Sequence, residues 1–167
     1  MAINQTNLYA ASSYYQSDLN KRASEGRFYR TAFLCHSHWD EQLVKGLIVV
    51  FSRLRVKLYV DWLDSSMPET PNKETAQNLQ RRIKQADMFL FLATEKSINS
   101  RWCPWEIGYA DGIGKVPHIL PTVDQYSVTY GSEYLEIYPQ IGLGISKSTG
   151  DDVFVICLPG QNEGKIL

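Results

Sequence analysis

The 167-residue sequence has few of the features that mark several common classes of protein. Its three cysteines, Cys35, Cys103 and Cys157, lie far apart and form no C-x-x-C pair, which predicts reduced thiols and not a disulfide framework. The formal net charge is -1 and the basic residues form no run, which argues against binding to nucleic acid or to a membrane surface. The longest aliphatic run, GLIVVF, is too short to span a bilayer, and no signal-like segment precedes it. We therefore expect a soluble cytoplasmic protein.

The composition suits one globular domain. Hydrophobic residues make up 44% of the chain and charged residues 21%, which is enough apolar material for a substantial core. Residues 1–28 are rich in Asn, Gln, Ser and Tyr without apolar periodicity, so they are predicted to form a polar N-terminal extension ahead of a domain over residues 29–167. A chain of this length leaves little room for a sensor or an effector domain, so we expect any signal that it makes to act on a separate protein.

Five apolar runs predict strands, and three amphipathic or aromatic-rich segments between them predict helices. The run DMFLFLAT has no polar alternation, which is typical of a central strand that is buried on both faces of a parallel sheet. The alternation of strands and helices predicts an α/β fold, namely a flavodoxin-like open parallel sheet of five strands in the order 2-1-3-4-5 with helices on both faces. The predicted strands cover residues 28–35, 56–61, 87–94, 115–123 and 151–158.

The candidate site follows from this topology. In such sheets ligands bind beyond the carboxyl ends of the strands, where the strand order reverses between the first and third strands. Those two strand ends lead into the segments HSHWDE and RWCPWE. The tryptophans also follow predicted strand ends, which favours a planar ligand on that rim: Trp39, Trp62, Trp102 and Trp105.

Three segments resemble bacterial TIR (Toll/interleukin-1 receptor) domains in motif content, order and spacing: TAFLCHSHWDEQLVKGL, LYVDWLDSSMPETPNKETA and RRIKQADMFLFLATEKSINSRWCPWEIGYADG. The most specific motif is S-x-W-C-x-x-E, formed by Ser100, Trp102, Cys103 and Glu106, which also satisfies the W-x-x-x-E pattern of catalytically active bacterial members. The chain is similar to stand-alone members that process NAD in antiphage defence of the Thoeris type. Many TIR domains carry a glycine where this chain has Ser65, Ser66 and Met67.

The resemblance implies an NAD glycohydrolase or ADP-ribosyl cyclase in which Glu106 is the catalytic glutamate. It implies NAD as substrate, with no separate cofactor and no metal ion, and a cyclic or conjugated ADP-ribose product that activates a separate effector. Self-association between TIR domains on activation is also implied. The expected substrate contacts are Trp102, Cys35, His36, Ser37, His38, Asp61 and Trp62.

Elementary chemistry supports the choice of a carboxylate. Nicotinamide leaves NAD as a neutral base, so its departure needs no general acid, while the ribose carbon becomes oxocarbenium-like. A carboxylate ~4 Å from that cation, at an effective dielectric constant of ~20, is worth ~4 kcal/mol, or on the order of 10³ in rate. Glu106 is predicted near the positive end of a helix dipole, with Ser100 or Asn99 as the cap, and should therefore stay ionised. Trp102, four residues earlier, is placed to stack on the pyridinium.

The sequence leaves other interpretations open. The W-x-x-x-E pattern also fits an aromatic core anchor beside a solvated glutamate, and Cys103 and Trp105 are expected to be packing residues. A nucleoside or nucleotide glycosidase or a deoxyribosyltransferase would also use a glutamate at the sugar carbon. A non-catalytic TIR module would assemble with other TIR domains through the long loop after Asp61 and the neighbouring helices. The pair His36-x-His38 has too few partners for a closed zinc site, and GLGISKSTG lacks the glycine that must precede the lysine of a phosphate loop.

Overall fold

A mixed sheet with parallel central strands forms the centre of the fold. The computed structural model describes residues 2–18, 28–68, 70–134, 136–161 and 163–167. Within these ranges the strands are β1 (Ile3–Asn4), β2 (Arg30–Cys35), β3 (Val56–Tyr59), β4 (Met88–Ala93), β5 (Pro117–Val123), β6 (Thr129–Tyr130), β7 (Gln140–Ile145), β8 (Asp152–Cys157) and β9 (Lys165–Ile166). The α-helices are α1 (Gln5–Ser12), α2 (Glu41–Arg53), α3 (Lys73–Gln85), α4 (Glu95–Ile98) and α5 (Trp102–Gly112).

The strand order confirms the predicted fold class. The main path of the sheet is β3-β2-β4-β5-β7-β8-β9, and β3, β2, β4 and β5 are the first four predicted strands in the predicted order. Adjacent strands among these four are parallel, with Phe33 opposite Phe89 and Ala93 opposite Pro121. The order therefore reverses between β2 and β4, as the sequence predicted.

The prediction for the last strand was wrong. The place beside β5 is taken by β7, which runs parallel to it with Gln140 opposite Ile119. The predicted fifth strand is β8, which pairs antiparallel with β7, so that Phe154 lies opposite Leu143. The sequence of β7, QIGLGI, contains two glycines, which are unfavourable in strands, and its pairing with two neighbours is a non-local property. The observed sheet is thus larger than five strands and is not fully parallel.

Helices cover both faces of the sheet because successive residues of each central strand alternate between the faces. On one face, Leu34 and Leu90 belong to an apolar cluster that includes Leu47 of α2. On the other face, Phe33 belongs to a second cluster that includes residues of α3 and α5, namely Leu79, Ile83, Cys103 and Ile107. Asn72 caps α3 through its side chain and forms a capping box with Thr75.

Part of the predicted N-terminal extension packs into the fold. Strand β1 pairs in parallel with β5, and the amide of Gln5 donates a hydrogen bond of 2.9 Å to the hydroxyl of Thr122. Leu8 of α1 is buried in the same apolar cluster as Leu47 and other residues of α2. The sequence did not predict this, because the segment has weak amphipathicity of its own and its few apolar residues find partners far along the chain. Met1 and residues 19–27 of the predicted extension lie outside the described residues.

None of the helices in the described part of the chain is both long enough and apolar enough to cross a bilayer.

Candidate active site

Glu106 lies one turn into α5 and is buried at the carboxyl edge of the sheet. The helix begins at Trp102, and the Ser100 hydroxyl oxygen accepts hydrogen bonds from the backbone N–H groups of Trp102 and Cys103, at 3.2 and 3.3 Å. Ser100, one of the two predicted caps, therefore satisfies the first free donors of this helix. Only 6% of Glu106 is exposed, which contradicts the interpretation of a solvated glutamate beside an aromatic anchor.

Two buried thiols lie against this carboxyl group. The thiol of Cys35, at the end of β2, lies 3.8 Å from the backbone carbonyl oxygen of Cys103 in the first turn of α5. It is also close enough to the Glu106 carboxyl group to stabilise its ionised form by hydrogen bonding. Cys35 and Cys103 are both almost completely inaccessible to solvent. The end of β2 and the first turn of α5 are thereby joined in one small polar cluster inside the apolar core.

Burial changes the charge state expected for Glu106. Removal from water raises the pKa of the Glu106 carboxyl group well above its ordinary value, and the nearby Cys103 and Asp61 raise it further. The hydrogen bond from Cys35 acts in the opposite direction but does not compensate. Desolvation therefore acts against the helix dipole, which the sequence analysis expected to keep Glu106 ionised, because the dipole effect at a helix end is small compared with the desolvation of a buried carboxylate.

His36 follows Cys35 and is fixed on both sides of its ring. Its Nδ1 lies 2.9 Å from the carbonyl oxygen of Leu34, and its Nε2 lies 3.1 Å from the indole nitrogen of Trp62. A carbonyl can only accept and an indole N–H can only donate, so Nδ1 carries the proton and Nε2 is the acceptor. Only 2% of the His36 side chain is exposed. The ring is therefore a buried link between the end of β2 and the segment after β3.

Asp61 brings a second carboxylate to the same rim. It begins a short 3-10 turn, Asp61–Leu63, directly after β3, and its Oδ1 accepts a hydrogen bond of 2.8 Å from the backbone N–H of Trp62. The same oxygen lies 3.4 Å from Nε2 of His36. Asp61 is partly exposed and its charge reaches Glu106. The structure thus gathers five of the predicted site residues at the switch point: Cys35, His36, Asp61, Trp62 and Glu106.

The other predicted site residues have different surroundings. The Ser37 hydroxyl is buried and accepts from the N–H of Trp39 at 3.4 Å, so it caps the 3-10 turn His38–Asp40. His38 is exposed and its ring packs against that of Trp39, with the ring centres 4.4 Å apart. The two histidines therefore have separate partners. In the described ranges no group of three or more His, Cys, Asp or Glu side chains is arranged to hold a metal ion.

Aromatic side chains line the exposed side of α5. Trp102 is partly buried and meets Trp105 edge to face, with ring centres 5.5 Å apart. Trp105 in turn stacks on Tyr109, at 5.9 Å between centres. Cys103 is buried, as expected for a packing residue, whereas Trp105 is 37% exposed and does not belong to the core.

Asp40 is a buried side chain near the site whose role the sequence analysis missed. The Thr94 hydroxyl donates a hydrogen bond of 2.5 Å to Oδ2 of Asp40, so the ends of β2 and β4 are linked directly. Asp40 stands in the HSHWDE segment, which the sequence analysis placed at the switch point of the sheet. An aspartate at this position indicated a polar role, but its hydrogen-bond partner, Thr94, lies 54 residues away and could not be predicted from the local sequence.

Tyr134 was missed as well. Its ring packs edge to face on Phe91, with the ring centres 5.5 Å apart. Burial raises the pKa of its phenol, and the charged forms of neighbouring groups, including Cys35 and Cys103, raise it further. Tyr134 lies in a weakly patterned region of the sequence, where no pattern predicts its contact with Phe91 at the centre of the sheet.

The loop after β3 is held by a partly buried ion pair. Asp64 Oδ2 lies 2.8 Å from an Arg82 guanidinium nitrogen of α3 and accepts a hydrogen bond of 2.8 Å from the Tyr59 hydroxyl. Its Oδ1 accepts from the backbone and hydroxyl of Ser66, at 3.0 and 2.7 Å. Burial alone would raise the pKa of Asp64, but these bonds hold it well below its usual range. Ser66, in the segment where many TIR domains carry glycine, thus ties the loop to Asp64.

Comparison with known proteins agrees with this geometry. The family model described as TIR domain matches residues 32–133. A protein of Bacillus cereus (strain MSX-D12), named "Probable 3' cyclic ADP-D-ribose synthase ThsB'", is 36% identical over 128 residues, which cover 74% of this chain and 66% of that protein. A protein of Cytobacillus dafuensis, named "Putative cyclic ADP-D-ribose synthase TIR2", is 31% identical over 96 residues, which cover 56% of this chain and 25% of that protein. The chain therefore spans just under two thirds of the first relative and a quarter of the second.

Proposed function

The chain belongs to the TIR domain family, and from this premise we propose that it is an enzyme that breaks the bond between nicotinamide and ribose in NAD. The observation that carries the proposal is the position of Glu106. A buried carboxyl group lies at the switch point of the sheet, against Cys35 and within electrostatic reach of Asp61. A buried carboxyl group is unfavourable for folding, so its presence at this position indicates a functional role.

The raised pKa of Glu106 fits a cationic substrate. When the pyridinium of NAD approaches, its positive charge favours the ionised carboxylate and lowers the pKa of the group. The bond to nicotinamide then breaks with its electron pair going to the ring nitrogen, and the ribose carbon becomes cationic. Because Glu106 is shielded from water, its attraction to that cation is stronger than it would be in solvent. The step needs no cofactor, since the leaving group is already activated by its charge.

The product is proposed to be a cyclic or conjugated ADP-ribose. The two relatives are named as cyclic ADP-D-ribose synthases. In cyclisation a hydroxyl or nitrogen of the same molecule forms a bond to the ribose carbon and releases one proton. A carboxylate with a raised pKa is a suitable acceptor for that proton. Glu106 would therefore serve twice, first as an anion that faces the cation and then as a base.

We further propose that the product activates a separate effector protein in antiphage defence, and that the enzyme self-associates when it is activated. The second proposal has some structural support, because β3 lies at the edge of the sheet and the loop that follows it is rigidly held by Asp64 and Arg82. An ordered edge and loop can present a defined surface to another copy of the chain.

The direct test is incubation of the purified protein with NAD, followed by mass spectrometry of the products. We expect release of nicotinamide together with a cyclic or conjugated ADP-ribose. The matched control is Glu106→Gln, which has the same size but no charge and should lose on the order of 10³ in rate. Absence of nicotinamide release at high protein concentration and with a crowding agent would reject the proposed activity. Full activity of the variant would reject Glu106 as the catalytic group.

A further inference from the structure

A cavity of about 430 Å³ lies between helix α1 and the carboxyl ends of β4 and β5, next to the residues that we assign to NAD cleavage. Helix α1 forms one wall. The opposite walls come from the segments that directly follow β4 and β5. We call this space the helix-edge cavity, and the side chains that matter here are Thr6, Tyr9, Glu95, Lys96, Asp124 and Tyr126. Its volume is within the range of sites that bind small organic molecules.

The α1 wall is fixed to the rest of the fold. Strand β1 places the start of the helix on β5, and the bond from Gln5 to Thr122 holds its first turn. Leu8 is buried against α2, where Gly46 allows close approach, since an added Cβ there would overlap with the Leu8 carbonyl oxygen. The wall that the N-terminal segment contributes to the cavity is therefore held by contacts with both β5 and α2.

The charges that line the cavity disfavour an anion. Asp40, Glu95 and Asp124 contribute three carboxyl groups, while Lys96 contributes the ammonium group. That ammonium already donates to the carbonyl oxygen of Trp39 at 2.8 Å and lies 3.7 Å from Asp40. A phosphate group would meet mainly carboxylates, so the cavity suits a neutral or cationic molecule.

The remaining groups favour a planar molecule with hydrogen-bond donors. Tyr9 and Tyr126 present rings that are 49% and 78% exposed. The Asp124 carboxylate accepts from the N–H groups of Tyr126 and Val128 and from the Tyr130 hydroxyl. A carboxylate has about four acceptor positions, so one remains for a hydroxyl or amino group of a ligand.

From this combination of walls, charge and aromatic rings we propose that the helix-edge cavity binds a neutral nucleoside. The base stacks on Tyr126 or Tyr9, and a sugar hydroxyl or the amino group of the base donates to Asp124 or Glu95. This site goes beyond the proposed function, since binding there needs no reaction at Glu106. Asp40 lies between the two regions, because it lines the cavity and belongs to the HSHWDE segment that follows β2.

The experiment is titration of the full chain with adenosine, monitored by calorimetry and by the NMR signals of the backbone amides of residues 5–9 and 124–130. We expect saturable binding that shifts these signals. We also expect the affinity to decrease from adenosine to AMP to ADP, as negative charge is added. Tyr126→Ala should weaken adenosine binding about tenfold, which is typical of the loss of one stacked ring. Thr6→Trp, which places a large ring at an exposed position on the cavity wall, should block binding.

Two control variants test whether binding is specific to the helix-edge cavity. Tyr14→Ala removes another exposed tyrosine of the N-terminal segment, outside the cavity walls, and should bind adenosine like the original chain. Glu106→Gln should also bind adenosine normally while losing NAD cleavage, so the two proposals can fail independently. Failure to bind adenosine, tighter binding of ADP than of adenosine, equal binding by Tyr126→Ala, or loss of binding in Glu106→Gln would each overturn the proposal.

Discussion

The indole N–H of Trp62 donates to Nε2 of His36 across 3.1 Å, and this bond joins the segment after β3 to the end of β2. The other nitrogen of the same ring lies 2.9 Å from the Leu34 carbonyl oxygen. The ring is therefore held in one orientation and one tautomer, and the rim on which NAD is proposed to bind is fixed before the substrate arrives.

Trp62→Phe should remove this bond while keeping an aromatic ring in place. We expect a loss of about 1 kcal/mol in stability and about a tenfold decrease in kcat/KM for NAD, since Nε2 of a buried histidine loses its donor. Trp39→Phe is the matched control, because Trp39 is 71% exposed and its ring contacts His38. Steady-state kinetics and urea unfolding of both variants provide the measurement. Equal effects in the two variants would show that the bond to His36 has no special role.

The pH dependence of NAD cleavage should reflect the raised pKa of Glu106. The reaction needs the carboxylate, so kcat/KM should rise with pH through the pKa of the free enzyme and then level off. Burial places that pKa well above the ordinary glutamate value, so the rise should occur at a clearly higher pH than an exposed glutamate would give. A profile already flat from pH 5 upwards would contradict the buried, desolvated state of this group.

Thermal stability should also depend on the pKa of Glu106, but the contribution of this group should decrease as pH rises, whereas kcat/KM should increase. The folded pKa of Glu106 exceeds its unfolded value, so its contribution to stability is complete below the unfolded pKa and is lost as pH rises through the folded pKa. Glu106→Gln removes this titration. The variant should therefore have a higher Tm than the original chain at pH 8, and the difference should shrink towards pH 4. Calorimetry at several pH values measures it, and a variant that is less stable at pH 8 would refute the predicted desolvation of Glu106.

Arg82→Met should destabilise the fold by about 2 kcal/mol, because it leaves the Asp64 carboxylate buried without its cationic partner. The figure lies below that of a fully buried pair, since Arg82 is about one third exposed and solvent screens part of the interaction. The control is Lys147→Met, whose partner Glu163 lies at 2.6 Å but with both side chains 79% exposed. Urea unfolding should show almost no change for the control. Similar losses in both variants would mean that burial does not determine the value of the Asp64 pair.

Gly46→Ala should weaken the docking of α1, since the added methyl group overlaps with the Leu8 carbonyl oxygen. We expect a loss of about 1–3 kcal/mol, the usual result of overpacking, together with faster amide exchange in residues 5–12. Gly108→Ala is the matched control, because it also lies within a helix but no atom lies within 4 Å of the added carbon. It should stabilise the protein by up to about 1 kcal/mol through helix propensity. If both substitutions stabilise the protein, the close contact between α1 and α2 does not exclude a side chain at position 46.

The local pattern of the chain was sufficient for much of the fold. The apolar runs that became β2, β3, β4 and β5 carry their own burial signal, and the order of these four strands follows from the handedness of parallel crossovers. The pairing of β7 with β5 could not be predicted in the same way. Two glycines weaken its strand signal, and its neighbours are defined only when the sheet forms.

The sequence by itself determined which residues meet at the switch point, because motif spacing and parallel topology bring the ends of β2, β3 and β4 to one edge. Cys35, Asp61 and Glu106 were predicted there and lie there. Only the tertiary structure decided how Glu106 is surrounded. Desolvation depends on every neighbour in space, including Cys103 and the far segments that exclude water, and it overrides the helix dipole that the local sequence suggested. The position of α1 was decided in the same way, by contacts with β5 and Gly46 that are distant along the chain.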